Sequence, residues 1–228
     1  MTDEQIKAFI RRSWDILDET SDDDWGAKRQ LAGALRQLNH LVVCSSAPAA
    51  ELLEAAKRIE QAFALIEPFA APTFFERFKD GDYVARPEIY ADRSWITGQS
   101  NPISPLAVLT ENGAQVRATV CFENGYVGAP GWVHGGAVAS VFDQLMGFVL
   151  IRDGSPCVTA ELSVRYHHPT PSHQELVFSA WMEREEGRYV VLKATCHHGD
   201  QHTATSDATF VRLNPMQFAE NLASSVRD

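Results

Sequence analysis

The stretch GAPGWVHGGAVASVFDQLMGFVLIR, residues 128–152, decides how this chain folds. Its first nine residues are rich in glycine and include a proline, a composition typical of a loop. Residues 137–152 are apolar nearly all round rather than along one face, which is typical of a helix surrounded by other elements. The sequence therefore predicts a buried helix that directly follows a glycine-rich loop.

Strand patterns lie on both sides of this helix. Residues 115–123 alternate apolar with other side chains before it, and residues 157–168 do so after it. Three more strands are predicted at 175–183, 188–197 and 202–213, with turns at Glu186-Gly187 and Gly199-Asp200. One buried helix with one strand before it and four after it predicts an α+β fold, in which an antiparallel sheet wraps around the helix.

Residues 1–70 show helical periodicity instead. Residues 2–5 have capping-box spacing, a second helix follows the acidic run at 22–24, and Pro48 and Pro68 bracket a third. The apolar faces of these helices must pack either on each other or on the next domain. Their polar faces are not enriched in lysine and arginine, which disfavours a membrane surface. We predict a helical extension at 1–70, a core domain at 71–216 and a tail at 217–228.

Charge and cysteine usage limit the partners. Twenty basic against thirty acidic side chains give a net charge of −10, which disfavours a surface that neutralises nucleic-acid phosphates. The beginning of the chain lacks the apolar segment of a secretory signal, and no run reaches the roughly 18 apolar residues of a membrane span. We expect a cytoplasmic protein that binds neither nucleic acid nor membrane. The cysteines are scattered without a CxxC pair and are expected to be buried, reduced thiols: Cys44, Cys121, Cys157 and Cys196.

The start of the buried helix is a candidate anion site. No Ser, Thr, Asp or Asn stands at its immediate cap position, so its first N–H groups should be left for another partner. Gly135 and Gly136 allow close approach of a ligand, and the helix dipole adds partial positive charge. This end suits an anion or a developing oxyanion. A plain glycine-rich turn is the alternative.

Asp143 lies nine residues after His134, inside the apolar helix. A carboxylate there costs desolvation free energy unless it is used or is paired with a structural partner, for which Arg152 and Arg165 are candidates. Gly136 and Asp143 are about 10.5 Å apart along a helix axis, whereas an oxyanion donor and a base must each lie within about 3 Å of the reacting atoms. We therefore predict that Asp143 of one subunit faces the loop of a second across a twofold interface.

At these residues the chain resembles hotdog-fold acyl-CoA thioesterases of the PaaI-like branch. The similarity covers roughly residues 101–214, through NPISPL, GAPGWVHGG, FDQLMG, VTAELSVRYHHPTP and TFVRLNP. It implies hydrolysis of acyl-CoA thioesters to free acid and CoA, without a cofactor, in a homodimer or a dimer of dimers. A non-catalytic module that binds or senses acyl thioesters on the same fold is the alternative. A hydratase is disfavoured by the spacing between histidine and carboxylate.

The resemblance also implies individual roles. His134 would shape the oxyanion loop, in which Gly135 helps to bind substrate, and the Gly136 N–H would polarise the thioester carbonyl. Asp143 would act as a base on water or as a nucleophile. Thr159 would position that carboxylate or the attacking water.

Two positions depart from the family pattern. Gly128 stands where some members have asparagine, six residues before the histidine. Where members usually offer lysine or arginine to the CoA phosphates, Arg165 is followed by His167 and His168. Phosphate binding by these three residues should be weaker or pH-sensitive, because histidine is largely neutral at pH 7.

The remaining reactive residue types receive plainer interpretations. Further histidines at 173, 197, 198 and 202 are of zinc-ligand type, but neighbours on a strand point to opposite faces, so we expect no metal site. Cys121 and Cys157 have no base placed beside them by the sequence and are expected to pack rather than react. Trp95 and Trp132 are candidates for the lining of an acyl tunnel, with core packing as the alternative.

Overall fold

The computed structural model of the protein describes residues 23–70, 92–152, 154 and 156–214, together with Glu4, Lys7, Ala8, Arg11 and Arg12. Most of the predicted first helix, the predicted boundary at residue 71 and the predicted tail lie outside these residues. The elements in chain order are α1 (Asp23–Cys44), α2 (Ala49–Ile66), β1 (Val108–Asn112), β2 (Gln115–Cys121), β3 (Val127–Ala129), β4 (Trp132–Val133), α3 (Gly135–Ile151), β5 (Cys157–Tyr166), β6 (Glu175–Glu186), β7 (Tyr189–His198) and β8 (Gln201–Arg212).

Six of these strands form one antiparallel sheet in the order β1-β2-β6-β7-β8-β5, and β3 and β4 form a short separate ribbon. The predicted meander of β6, β7 and β8 is confirmed. Gly187 and Gly199 hold its two turns at φ values of +62° and +55°, which glycine adopts without steric cost. The strand that follows α3 in the sequence, β5, pairs with β8 at the edge of the sheet.

Helix α3 packs across this sheet and makes contacts with β2, β5, β6, β7 and β8. Phe142 meets Phe178 of β6 edge to face, with ring centroids 5.1 Å apart. Burial of each large apolar side chain contributes roughly 1.5–3 kcal/mol. The described residues bury somewhat more than half of the helix circumference, through Val138, Val141, Phe142, Leu145, Met146, Phe148, Val149 and Leu150. The opposite face, which carries Gly136, Ser140, Asp143, Gln144 and Gly147, is not buried by them, so the prediction of a helix enclosed nearly all round is wrong for that face. The α+β prediction of an antiparallel sheet around one buried helix is confirmed.

Helices α1 and α2 differ in what they contact. Helix α1 lies against the core domain, where Trp25 and Ala32 are buried and its C-terminal half reaches the 3₁₀ turn at Asn124–Tyr126. Helix α2 begins after Pro48 and ends just before Pro68, as predicted, but none of its side chains is buried by the described residues. Of the two packing alternatives, α1 therefore follows the second and covers the core domain.

A buried carboxylate fastens α1 to the core. Asp92, which is 5% exposed, accepts a hydrogen bond from Trp25 Nε1 at 2.7 Å. Arg29 approaches the same carboxylate with Nη2 at 2.9 Å and Nε at 3.1 Å. Removing one member of such a pair typically costs about 3–5 kcal/mol, because the other charge stays buried without its partner.

Strand β5 is the element whose burial differs most from the prediction. The alternation in residues 157–168 predicts one buried face, but only Leu162 and Val164 of that face are half-buried, and Val158 and Tyr166 are each 48% exposed. A β-bulge between Thr159 and Glu161 interrupts the alternation, and β8 covers only one edge of the strand. Within the described part of the chain, no strand pairs with its other edge.

The expected burial also fails for three cysteines and two tryptophans. Cys196 alone of the four free thiols is buried, whereas Cys44 and Cys121 are exposed and Cys157 is half-buried. Cys121 ends β2 on its outward face, whereas Cys157, which begins the edge strand, packs against the core and is only half-buried. Trp95 and Trp132 are 49% and 50% exposed, which contradicts core packing for both. No helix among the described residues has the length and apolar character needed to cross a membrane.

Candidate active site

The ribbon of β3 and β4 delivers the chain to the start of α3. Gly131 turns the ribbon at a φ of +80°, and Val127 pairs with Val133. Directly after it, the N–H of His134 donates to the carbonyl oxygen of Tyr126 at 2.8 Å. The position of His134 is therefore fixed by the backbone on the other side of the ribbon.

His134 is the N-cap residue of α3, and its side chain performs the capping. The N–H of Gly136 donates to His134 Nδ1 at 3.0 Å. The expectation that the first amides of the helix lack a partner is wrong for Gly136, because an imidazole takes the place usually held by Ser, Thr, Asp or Asn. An oxyanion gains the Gly136 N–H only when the imidazole moves aside.

Gly135 is enclosed by a residue that the sequence did not single out. The hydroxyl of Tyr166, at the end of β5, donates to the carbonyl oxygen of Gly135 at 2.6 Å, and burial raises the pKa of that phenol. A Cβ at position 135 would lie 3.1 Å from the Tyr166 oxygen. The alternation of β5 marked Tyr166 only as an apolar-face residue, and no local pattern pairs it with a helix start 31 positions away.

The structure gives a physical reason for glycine at position 128. A Cβ built there would lie 2.9 Å from the Cα of His134 and 3.2 Å from its Cβ. A side chain such as asparagine thus has no room beside His134 unless the ribbon or the helix start shifts. Glycine at 128 and the close-packed His134 belong together.

Asp143 and Thr159 meet on the other side of the candidate site. Thr159 Oγ1 donates to Asp143 Oδ1 at 2.7 Å. Asp143 is half-buried rather than enclosed in the apolar core. Arg152, one of the alternative partners, instead donates to the carbonyls of Gly113 and Ala114 at 3.1 and 3.3 Å. The carboxylate is oriented by a neutral hydroxyl, which leaves its other oxygen available to a substrate or a water.

Within one chain the predicted site residues form two separate groups. His134, Gly135 and Gly136 lie at the start of α3, and Asp143 lies about 10.5 Å further along the same axis. Three clefts of about 630, 570 and 290 Å³ lie elsewhere in the described structure, and their linings do not include either group.

The predicted phosphate-binding residues lie together at the exposed end of β5. His167 Nε2 is 3.0 Å from Thr205 Oγ1, and His168 Nδ1 is 2.9 Å from the carbonyl oxygen of His202. The side chain of Arg165 is exposed on the same strand. Among the residues that the structure describes, no group of three or more His, Cys, Asp or Glu side chains is arranged to hold a metal ion.

Comparisons with known proteins agree with this arrangement. A family model described as the thioesterase superfamily matches residues 130–205, which contain both groups of site residues. Acyl-coenzyme A thioesterase THEM4 of Mus musculus is 32% identical over 108 residues, which are 46% of this chain and 46% of that protein. Acyl-coenzyme A thioesterase THEM5 of Homo sapiens is 24% identical over 168 residues, covering 61% of this chain and 68% of that protein.

A solved structure extends the likeness beyond the matched segment. The crystal structure of a thioesterase superfamily protein superposes with a TM-score of 0.69 at 25% identity, over 81% of this chain and 94% of that one. The chain spans about half the length of the first curated relatives that it matches. The sheet wrapped around α3, the superposition and the matched residues lead to one conclusion: this chain contains a hotdog-fold domain of the thioesterase superfamily.

Proposed function

We propose that the protein hydrolyses acyl-CoA thioesters to a free acid and CoA, without a cofactor. The observation that carries this proposal is the position of the Asp143 carboxylate. Thr159 of β5 holds it, and it lies on the helix whose start presents His134, Gly135 and Gly136. The names of the curated relatives, which are acyl-coenzyme A thioesterases, support the choice of substrate.

The start of α3 stabilises the developing negative charge. In the reacting complex the imidazole of His134 moves off the Gly136 N–H, which then donates to the thioester carbonyl oxygen. The partial positive charge at the helix start acts on the same oxygen. Loss of one such donor typically lowers kcat by about 10²–10³-fold.

Asp143 supplies the carboxylate chemistry by one of two routes. As a general base it takes a proton from a water whose oxygen attacks the carbonyl carbon, and the tetrahedral intermediate then collapses with cleavage of the C–S bond. As a nucleophile it attacks the carbonyl carbon itself and forms an anhydride, which water hydrolyses. In both routes the CoA thiolate leaves and takes up a proton, and Thr159 holds Asp143 Oδ1.

The working enzyme is a homodimer, or a dimer of dimers, with sites shared between subunits. The axial separation of Gly136 and Asp143 supports this assembly, since one substrate carbonyl cannot reach both within a chain. The open edge of β5, with Val158 and Tyr166 half-exposed, supports pairing of two β5 strands. Asp143 of one subunit then faces the His134 loop of the other.

Arg165, His167 and His168 bind the phosphates of CoA, and Gly135 contacts the substrate near the thioester. A local cationic group is needed because the chain carries a net charge of −10.

The proposal extends to the organisation of the chain. Residues 71–216 form the thioesterase domain, residues 1–70 a helical extension and residues 217–228 a tail. A cytoplasmic location fits the four free thiols, and turnover of acyl-CoA places the protein in lipid metabolism.

Release of thiol from a panel of acyl-CoAs tests the proposal. The Asp143→Asn variant should lose about 10²–10⁴-fold in kcat/KM while it keeps its dimeric mass, because an amide neither takes a proton nor attacks. Gln144→Ala, the neighbouring residue on the same helix, is the matched control. Hydrolysis by wild type that Asp143→Asn leaves untouched would refute the mechanism, and an active monomer would refute the shared site.

One observation favours a second function on the same fold, a non-catalytic module that binds acyl thioesters. The Gly136 N–H is occupied by His134 Nδ1 at 3.0 Å, so the oxyanion donor is closed. Retained binding of CoA with no hydrolysis at any acyl chain length would favour this function over the enzyme.

A further inference from the structure

Helix α1 is attached to the core domain on both sides of its midpoint. Arg29 binds the buried Asp92. About two helical turns later, Arg36 Nη2 donates to the carbonyls of Gln99 and Asn101 at 3.0 and 2.7 Å. These contacts fix the helix against residues 92–101. The C-terminal turns of α1 are thereby held over the 3₁₀ turn at Asn124–Tyr126.

His40 and Cys44 of α1 both contact that turn: Asn124 Nδ2 donates to Cys44 Sγ at 3.2 Å, and His40 binds the backbone of the turn. The N–H of Gly125 donates to His40 Nδ1 at 3.2 Å, and the imidazole packs on the ring of Tyr126 with centroids 5.5 Å apart. A Cβ at position 125 would lie 2.9 Å from His40 Nδ1, so the backbone and the imidazole are in close contact. The side chain at 40 thus determines where the backbone of the turn lies.

The same turn holds the start of the catalytic helix. The carbonyl oxygen of Tyr126 accepts the N–H of His134 at 2.8 Å, and His134 in turn accepts the N–H of Gly136. The hydroxyl of Tyr126 donates to the carbonyl of Ile103 at 2.7 Å, which fixes the other end of the tyrosine. A shift of the turn therefore reaches the backbone of His134 through one hydrogen bond, and the proposed oxyanion amide of Gly136 follows two residues further along the same backbone.

We propose that His40 is a positioning residue for the active site: by accepting the N–H of Gly125 it fixes the turn that holds His134, and so it sets where the Gly136 N–H points. This inference rests on the proposed function and gives α1 a task in it. His40 touches neither substrate nor reacting atoms. It acts through the backbone at 125–126 and through His134.

The contact requires an unprotonated Nδ1, because a protonated ring nitrogen cannot accept the Gly125 N–H. Burial lowers the pKa of His40 and keeps the ring neutral, with Glu123 opposing this effect and Arg36 and His173 adding to it. Protonation in acid should release the turn. The titratable and charged groups that face the imidazole or share its cleft are Arg36, Cys44, Cys121, Glu123, Tyr126 and His173.

Two substitutions at position 40 separate the hydrogen bond from the packing. His40→Phe keeps a ring on Tyr126 and removes the acceptor, whereas His40→Asn removes the ring and keeps an acceptor near the place of Nδ1. Gln30→Ala, on the exposed side of the same helix, is the matched control. Steady-state kinetics on an acyl-CoA that wild type hydrolyses, with the thermal midpoint of each variant, give the comparison.

We expect His40→Phe to lower kcat at least about tenfold and to change KM less than about twofold, since a displaced oxyanion donor weakens transition-state binding. His40→Asn should restore most of kcat. We expect wild type to lose activity as the pH falls through the pKa of His40. His40→Asn should not show this loss, because its amide does not take up a proton in that range. Equal kcat in His40→Phe and Gln30→Ala would overturn the inference, as would equal losses in both His40 variants that only follow their thermal midpoints.

Amide hydrogen exchange at glycine, measured by NMR on glycine-labelled protein, keeps the test independent of catalysis. His40→Phe should speed exchange at Gly125 and at Gly136, and His40→Asn should do so much less. If wild type hydrolyses no acyl-CoA, the proposed function fails, and the positioning of Gly136 by His40 is then judged by exchange alone. Unchanged exchange at Gly136 in His40→Phe would overturn it.

Discussion

The two groups of candidate site residues are built in different ways. The start of α3, the helix-start group, is held by hydrogen bonds within its own chain although His134 and Gly136 are exposed: His134 caps Gly136, Tyr126 holds His134, and Tyr166 holds Gly135. Asp143 has one described side-chain partner, Thr159, and lies on a partly open surface. The difference teaches that contacts within one subunit already fix the backbone at the helix start, whereas the Asp143 carboxylate remains accessible to a second molecule.

The largest effect is expected when a side chain is added beside the helix-start group, at Gly128. Gly128→Asn should lower kcat about 10²-fold and destabilise the fold by about 1–3 kcal/mol, because the new Cβ would lie 2.9 Å from the Cα of His134. Turnover and chemical denaturation measure both effects. Gly26→Ala is the control, since nothing lies within 4 Å of its added Cβ. A Gly128→Asn enzyme with wild-type kcat would show that the packing at His134 does not control the site.

Substitution of Thr159, the partner of Asp143, should change kcat more than the free energy of unfolding. Thr159→Val keeps the shape of the side chain and removes the 2.7 Å hydrogen bond to Asp143, so kcat should fall about tenfold with a change in unfolding free energy below about 1 kcal/mol. Thr159→Ser, which keeps the hydroxyl, should retain most of the activity. Equal losses in the two variants would mean that the methyl group matters and the hydroxyl does not.

Substitution of Tyr166 tests whether the helix-start group depends on its hydrogen bond to β5. Tyr166→Phe removes the hydroxyl that donates to Gly135 at 2.6 Å, and should cost about 0.5–1.5 kcal/mol of stability with a several-fold loss in kcat. Denaturant titration and turnover of the purified variant measure the two quantities. A variant with unchanged stability would indicate that water replaces the Tyr166 hydroxyl as the partner of the Gly135 carbonyl at no cost in free energy.

The smallest effect is expected at a histidine outside both groups. Desolvation and, to a lesser degree, His202 lower the pKa of His197. The neutral ring is thus favoured in the folded state, so its contribution to stability is complete above the unfolded pKa of about 6.5 and is lost as the pH falls from there through the lower pKa of the folded state. His197→Asn should flatten the dependence of unfolding free energy on pH between about 7 and 5. An identical slope in wild type and variant would contradict this assignment.

The fold was predictable because its signals are local. Periodicity alone separates α3 from the strands, and the glycines at 187 and 199 mark the hairpin turns. Pairing with β8 and the bulge at Thr159 depend on the whole sheet, so the exposure of β5 and of Cys157 did not follow from alternation. The same limit explains the outward position of Cys121 at the end of β2.

The candidate site was predictable in composition but not in its contacts. The spacing of His134 and Asp143 placed both on one helix, and the pairing of Asp143 with Thr159 follows the resemblance. Capping by His134 was missed because histidine is not among the usual cap residues. The contact of Gly125 with His40 joins positions 85 residues apart, and no local pattern reports such a distance.

The buried pair of Asp92 and Arg29 has a consequence for what counts as one cooperative unit. A fragment that starts after α1 would lose both Arg29 and Trp25, the side chains that bind and cover the Asp92 carboxylate. Cutting the chain between the helices and the sheet therefore does not separate two independent folding units. Unfolding of α1 and of the sheet should be coupled, so the cooperative unit begins well before residues 130–205, which the thioesterase superfamily model matches.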